Sequence, residues 1–161
     1  MQTPVIRTLW QTEAIEAIEA IKDIEDDQQV IIQGWALNNH MCCHQLLVDD
    51  QVVSFLLVSK CDFDPFYTDW DPKTHQLSYT PQPHHRDVGV YEDPWTLDLI
   101  YTLASHRRKQ YAFQLLTHFR DTHQWTAFVS NHASEQLFRK ASYRCAGMDL
   151  LTRTFPIYRS Q

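Results

Sequence analysis

The sequence predicts an α/β fold, on three observations. Short β-branched or alternating runs at 5–9, 45–58 and 95–103 read as strands. Residues 13–21 and 111–119 repeat apolar side chains at helical spacing. With 161 residues, 43% of them hydrophobic and 12% aromatic, the chain holds enough apolar material for one core, so a single domain over 1–161 is expected.

Taken in order, Val5-Ile6-Arg7-Thr8-Leu9 alternates weakly as a first strand, and Thr12 is the expected N-cap of a helix with Glu13 in its first turn. Along that helix Ile15, Ile18 and Ile21 form a slowly rotating stripe beside alanines, the pattern of an amphipathic surface helix. Residues 28–40 read two ways, with Val30-Ile31-Ile32 favouring a strand and Trp35-Ala36-Leu37 a short helix. The runs 45–48 and 52–58 flank Asp49-Asp50 and predict a hairpin.

Residues 61–93 differ in kind. They carry Pro65, Pro72, Pro81 and Pro83 with many aromatics and no long period, so they read as an insertion, with room for a small hairpin between Trp70 and Tyr79. The next strand, 95–103, alternates, with Trp95, Leu97, Leu99, Tyr101 and Leu103 on one face and Asp98 on the other. Tyr111, Ala112, Leu115, Leu116 and Phe119 predict a helix from about 107 to 122. A strand at 125–129 follows, then a helix through Phe138 capped by Ser130 or Asn131, and closing strand material at 143–155 broken near Gly147.

Composition removes several function classes. The only glycines are Gly34, Gly89 and Gly147, so neither a G-x-G-x-x-G fingerprint nor a phosphate-loop motif can be written. No apolar run approaches the roughly 20 residues that a bilayer-crossing helix needs. The opening Met1-Gln2-Thr3-Pro4 lacks a basic start and apolar run, so a cytoplasmic location is expected, with Cys42, Cys43, Cys61 and Cys145 as thiols. In His40-Met41-Cys42-Cys43-His44 the two histidines would share a face if helical. No second pair at ligand spacing accompanies them, so no metal is expected.

The net charge of −6 is unevenly spread. Residues 1–100 hold 5 lysines and arginines against 17 acids, and residues 101–161 hold 9 against 3. The basic part suits an anionic ligand, and the acidity of the rest argues against general nucleic-acid binding. Arg107, Arg108 and Lys109 are expected at a helix start, where unpaired N–H groups and the macrodipole are already positive. A polyanion seated there would relieve that conflict, and a solvated basic turn is the alternative.

The strand followed by Leu103-Ala104-Ser105-His106-Arg107-Arg108-Lys109-Gln110-Tyr111-Ala112-Phe113-Gln114-Leu115-Leu116 resembles the acetyl-CoA-binding segment of the GNAT N-acetyltransferase family. Its pattern is Arg/Gln-x-x-Gly-x-Gly/Ala. Arg107 and Ala112 fill the first and last places, and Gln110 replaces the central glycine, where helical φ/ψ would suit it. Downstream, Val129-x-Asn131 and Leu137-Phe138-x-Lys140-x-Ser142-Tyr143 look like the family's Asn…Leu-Tyr-x-Lys-x-Gly-Phe stretch.

The resemblance implies a mixed, mostly antiparallel central sheet flanked by helices, with 61–93 as an extra segment. It also implies acetyl-CoA as co-substrate, a primary amine as acceptor, and direct transfer between them. Arg107, Arg108, Lys109, Gln110, Tyr111 and Ala112 would cradle the pyrophosphate, Thr102 and Leu103 would offer main-chain groups to pantetheine, and Asn131 would bond its amides. Phe138 stands where the family has a tyrosine that protonates the leaving thiolate, so Tyr143, Cys145 or water would substitute, or the thiolate would leave unassisted. For the base, Asp98 comes first, then Glu92, then His106, an imidazole being a side chain that can carry a proton. A surface carboxylate, or one paired with an arginine, is the other reading of Asp98. A CoA-binding module without transfer, and an interaction protein or homodimer using Phe63, Phe66, Tyr67, Trp70 and Tyr79, are the alternative functions.

Overall fold

The computed structural model describes residues 3–61, 68–71, 73–74, 76–79, 91–129, 131–148 and 156–160. Its elements run β1 (Val5–Trp10), α1 (Gln11–Glu19), α2 (Gln29–Ala36), β2 (Met41–Val48), β3 (Gln51–Lys60), β4 (Thr68–Asp71), β5 (Gln76–Tyr79), β6 (Pro94–Thr102), α3 (Tyr111–Phe119), β7 (Gln124–Phe128), α4 (His132–Lys140), β8 (Arg144–Met148) and β9 (Pro156–Arg159). Seven strands form one sheet in the order β1-β2-β3-β6-β7-β9-β8. Pairing is antiparallel for β1–β2, β2–β3, β7–β9 and β8–β9, and parallel for β6–β7. The expected small hairpin is present as β4–β5, while Phe63, Phe66 and Tyr67 lie outside the described residues. The chain groups into two compact units, Met1–Lys60 with Leu97–Phe119, and Cys61–Thr96 with Arg120–Gln161.

In the first unit, β2 is buried from Met41 to Leu47 without alternation, because both of its faces are covered. On one face Met41, Cys43, Phe55, Leu57, Leu99 and Tyr101 pack with Ala14, Ile18, Ile24, Ile32 and Trp35 from the α1–α2 segment. On the other, His44 stacks on Phe119 of α3 with ring centroids 3.7 Å apart. The β2–β3 hairpin turns through Asp49 (φ 52°) and Asp50 (φ 63°), both in the left-handed region that a two-residue turn matching strand twist requires.

Local propensity was overridden at three places in this unit. Residues 29–36 are helix, not strand, because Ile32 and Trp35 then share a buried face. There the Trp35 indole N–H donates to the carbonyls of Cys42 (3.2 Å) and Val58 (3.0 Å). Helix α1 begins at Gln11 with no side-chain cap, so Thr12 is not the N-cap. The chain leaves β1 through Gln11 at φ 53°, which sets the entry angle directly. The helix expected from about 107 is only α3, Tyr111–Phe119. Arg108 (φ 68°) and Gln110 (φ 64°) are left-handed, and a left-handed residue cannot continue a right-handed helix.

In the second unit, β6 meets β7 from Pro94↔Gln124 to Thr96↔Thr126, and β7, β9 and β8 continue the sheet. Trp125 and Tyr158 are fully buried, and the buried Arg159 guanidinium lies 3.6 Å over the Tyr91 ring. Asn131, rather than Ser130, caps α4, its Oδ1 accepting from the Ser134 N–H at 2.8 Å.

Candidate functional site

Asp98 lies mid-strand in β6 and is partly buried rather than exposed, and among the described residues no arginine forms an ion pair with it. The Ser59 hydroxyl of β3 donates to its Oδ2 at 2.7 Å. Removal from water disfavours the charged carboxylate more strongly than that hydrogen bond restores it, so its pKa is pushed up to about 6. Such a group is ionised at neutral pH yet basic enough to accept a proton, the compromise that general-base catalysis needs.

The cationic segment precedes α3 rather than opening it. After β6 the chain makes a short turn over Ala104–His106, and Arg107, Arg108, Lys109 and Gln110 follow, all exposed. The Gln110 carbonyl accepts the Gln114 N–H at 3.0 Å, so Gln110 is the residue that launches the helix. Tyr111 and Ala112 then stand in the first turn, whose N–H groups have no intrahelical acceptor. Arg107 is not an unopposed cation. Its Nη2 lies 3.1 Å from Glu25 Oε1, its Nε donates to the Thr102 carbonyl at 3.0 Å, and its guanidinium sits 5.6 Å over the Tyr101 ring.

The main chain expected to greet pantetheine is partly occupied. The Leu103 N–H donates to the Val53 carbonyl at 2.9 Å and the Leu103 carbonyl accepts from His106, while the Thr102 carbonyl holds Arg107. The Thr102 hydroxyl is 2.9 Å from that of Ser54, which also donates to the Tyr101 carbonyl. These bonds brace the C-terminal end of β6 against β3.

In the second unit, Phe138 and Tyr143 are brought together by the way α4 ends. The Tyr143 N–H reaches the Phe138 carbonyl and the Ser142 N–H reaches that of Arg139, both at 3.0 Å, with Ser142 at φ 67°. That is a Schellman closure, and its usual apolar contact is the edge-on Phe138–Tyr143 ring pair at 5.2 Å. Both rings are buried, and burial pushes the Tyr143 phenol well above its ordinary range, so it holds its proton at neutral pH. Asn131 spends its oxygen on the α4 cap. Glu92 is exposed in the bend before β6, and Cys145 is exposed on β8.

The segment 40–44 corrects one expectation. His40 and His44 share no helical face, because Met41–Val48 is a strand rather than a loop or helix. His44 Nδ1 lies 2.7 Å from the Thr8 hydroxyl, and burial pushes the Cys42 thiol up to about 12. Among the described residues no group of three or more metal-ligating side chains converges.

No family model and no curated protein sequence matches the chain. Solved structures do. A putative acetyltransferase of the GNAT family from Desulfovibrio desulfuricans superposes with a TM-score of 0.59 at 10% identity, covering 98% of each chain. The Bacillus subtilis N-acetyltransferase YlbP, in complex with coenzyme A, gives 0.56 at 10% identity over 98% of this chain and 95% of that one. Arabidopsis thaliana NAA60, in complex with acetyl-CoA, gives 0.55 at 13% over 98% and 96%.

This is the fold of the GNAT N-acetyltransferases. Where the GNAT sequence pattern has glycine, the chain has Gln110 and Ser142, and both sit at left-handed φ, 64° and 67°. The backbone that glycine favours is therefore retained without glycine. Gln110 is thus not accommodated by helical dihedrals, as the sequence suggested. Two partners of the candidate residues carry no signal in the local sequence. Ser59 is 39 positions from Asp98 and Glu25 is 82 from Arg107, and no local pattern links either pair.

Proposed function

We propose that the chain is an N-acetyltransferase, one domain over 1–161, moving the acetyl group of acetyl-CoA to a primary amine by direct attack. The observation that carries this reading is Asp98, a carboxylate held on β6 with its pKa raised to about 6 in a GNAT fold. In this reading the amine nitrogen attacks the thioester carbonyl carbon and Asp98 takes the proton that nitrogen sheds. The tetrahedral centre then collapses, the C–S bond breaks, and the electron pair leaves on sulfur. An ordinary thiol acidity, near 8.5, lets that thiolate depart without a dedicated acid. This matters because Phe138 brings no hydroxyl and Tyr143 is buried.

Arg107, Arg108 and Lys109 supply positive charge for the pyrophosphate, with the amides of Gln110, Tyr111 and Ala112 behind them. Thr102 and Leu103 are assigned to the pantetheine arm, and Asn131 and Phe138 carry that role only from the resemblance of the 131–143 segment. Coenzyme A and acetyl-CoA, named for the Bacillus and Arabidopsis structures, support this choice of donor. Glu92 and His106 are second and third in line for the base.

The test is release of free CoA from acetyl-CoA with a panel of primary amines, followed by mass spectrometry of the acceptor. Amine-dependent release supports the proposal. Tight acetyl-CoA binding with no transfer to any amine would leave a CoA-binding module, the reading favoured by the missing hydroxyl at 138. Absence of any binding at millimolar acetyl-CoA removes both.

A further inference from the structure

We propose that Ser59 is the positioning residue of this site, orienting the Asp98 carboxylate and fixing which of its oxygens accepts the proton. The inference rests on the acetyltransferase reading above for its catalytic meaning, but its physical basis is independent of it. Ser59 is 4% exposed, and its hydroxyl has one hydrogen, which is committed to Asp98 Oδ2 at 2.7 Å. A carboxylate with Oδ2 so engaged keeps its other oxygen, Oδ1, as the more basic acceptor.

Both partners are mounted on strands rather than loops. Ser59 pairs in register with Met41 of β2, and the next residue is tied down by the Lys60 N–H to the His40 carbonyl at 2.9 Å. Asp98 sits between Leu97 and Leu99, both buried, so the β6 backbone is anchored on either side of it. A donor held this way loses little freedom when it makes the bond, which makes the bond effective.

The hydrogen bond opposes the effect of burial. Removal from water raises the proton affinity of Asp98 and the Ser59 hydroxyl lowers it. Among the described residues His40, Lys60 and Cys61 are ionisable groups near Ser59, and the causes of the Asp98 shift are burial and the Ser59 hydroxyl rather than any of these three. Ser59 is thus the lever on this carboxylate. Without it, Asp98 would titrate inside the working range and lose the base form at neutral pH.

The experiment is a titration of the Asp98 carboxyl carbon by NMR in the wild type, Ser59→Ala and Ser59→Thr, with Asp98→Asn identifying the resonance. A hydrogen bond to a charged group corresponds to an upward shift of roughly one to two pH units in Ser59→Ala. Ser59→Thr keeps the hydroxyl and should titrate within about half a unit of wild type. In the acetyl-transfer assay, the acid limb of kcat/KM should move up with the Asp98 titration. From a wild-type value of about 6, Ser59→Ala then loses about two- to tenfold at pH 7 and recovers by about pH 9.

A folded Ser59→Ala variant with an unmoved Asp98 titration overturns the proposal. So does a rate loss of equal size at every pH, which a merely structural role would give. A moved titration with an unmoved acid limb overturns both the positioning role and Asp98 as the base. If the wild type transfers no acetyl group at all, the functional reading fails, and the NMR titration still decides whether Ser59 controls Asp98.

Discussion

Asp98→Asn should make the protein a poorer catalyst and a more stable one at neutral pH. In the folded protein the Asp98 pKa is about 6 against an ordinary 3.8, a displacement worth about 3 kcal/mol at 1.36 kcal/mol per unit. Partial exposure makes that figure a ceiling. The native state binds this proton more tightly than the unfolded chain does, so its favourable contribution is complete below about pH 4. It is lost as pH rises through about 6, and above that the buried charge is a constant cost. Asparagine keeps the size and never ionises. The stability of the variant relative to wild type should therefore rise by up to about 3 kcal/mol between pH 3.5 and 7.5. In urea this is a difference of about 1.5 M in midpoint if m is near 2 kcal/mol/M. At pH 7 and above, where Asp98 of the wild type is ionised, kcat should fall by about 10²–10⁴, with near-normal acetyl-CoA affinity. A stability difference that is flat across pH 3.5–7.5 would mean that Asp98 ionises like a surface carboxylate, and the reasoning behind its assignment as base would collapse. An unchanged kcat across pH 6–9 would pass the role to Glu92, His106 or a water chain.

Acetyl-CoA at a hundredfold excess over Kd should stabilise the protein by about 2.7 kcal/mol, read as a rise in Tm, and desulfo-CoA should do nearly as well. Arg107→Ala should weaken CoA binding and, because Arg107 is paired with Glu25 rather than unopposed, should also cost the free protein roughly 0.2–1 kcal/mol. Glu25→Gln releases the same arginine, so calorimetry should find CoA binding tighter by up to about fivefold, and weaker binding would argue that the pair orders the loop instead. Gln110→Gly and Ser142→Gly should each stabilise by roughly 0.5–1 kcal/mol in urea melts, since both residues hold left-handed φ, and a loss of stability at either would contradict the assigned backbone. Phe138→Tyr places a hydroxyl among buried rings and should cost about 1–3 kcal/mol; no cost would mean that the ring tip opens onto solvent or ligand.

Much of this protein is legible in local sequence. The β2–β3 hairpin, the alternating strand β6 and helices α3 and α4 follow from side-chain periods of two and 3.6, which depend only on neighbours along the chain. The order of the Arg107–Ala112 and Asn131–Tyr143 segments sufficed to point to the GNAT fold, and Asp98 was visible as the one charged residue of its strand. Folding decided the rest by placing distant residues together. Residues 29–36 became helix because burying Ile32 and Trp35 against β2 and β3 outweighs the β-propensity of Val30-Ile31-Ile32. Arg107 met Glu25 across 82 positions, and Asp98 met Ser59 across 39. No period or motif encodes such meetings, because the tertiary path of the chain fixes them, and for Asp98 and Ser59 the strands that carry them. The proton affinity of Asp98 has the same origin, since a carboxylate acquires it from the water it loses and the hydroxyl it gains on burial.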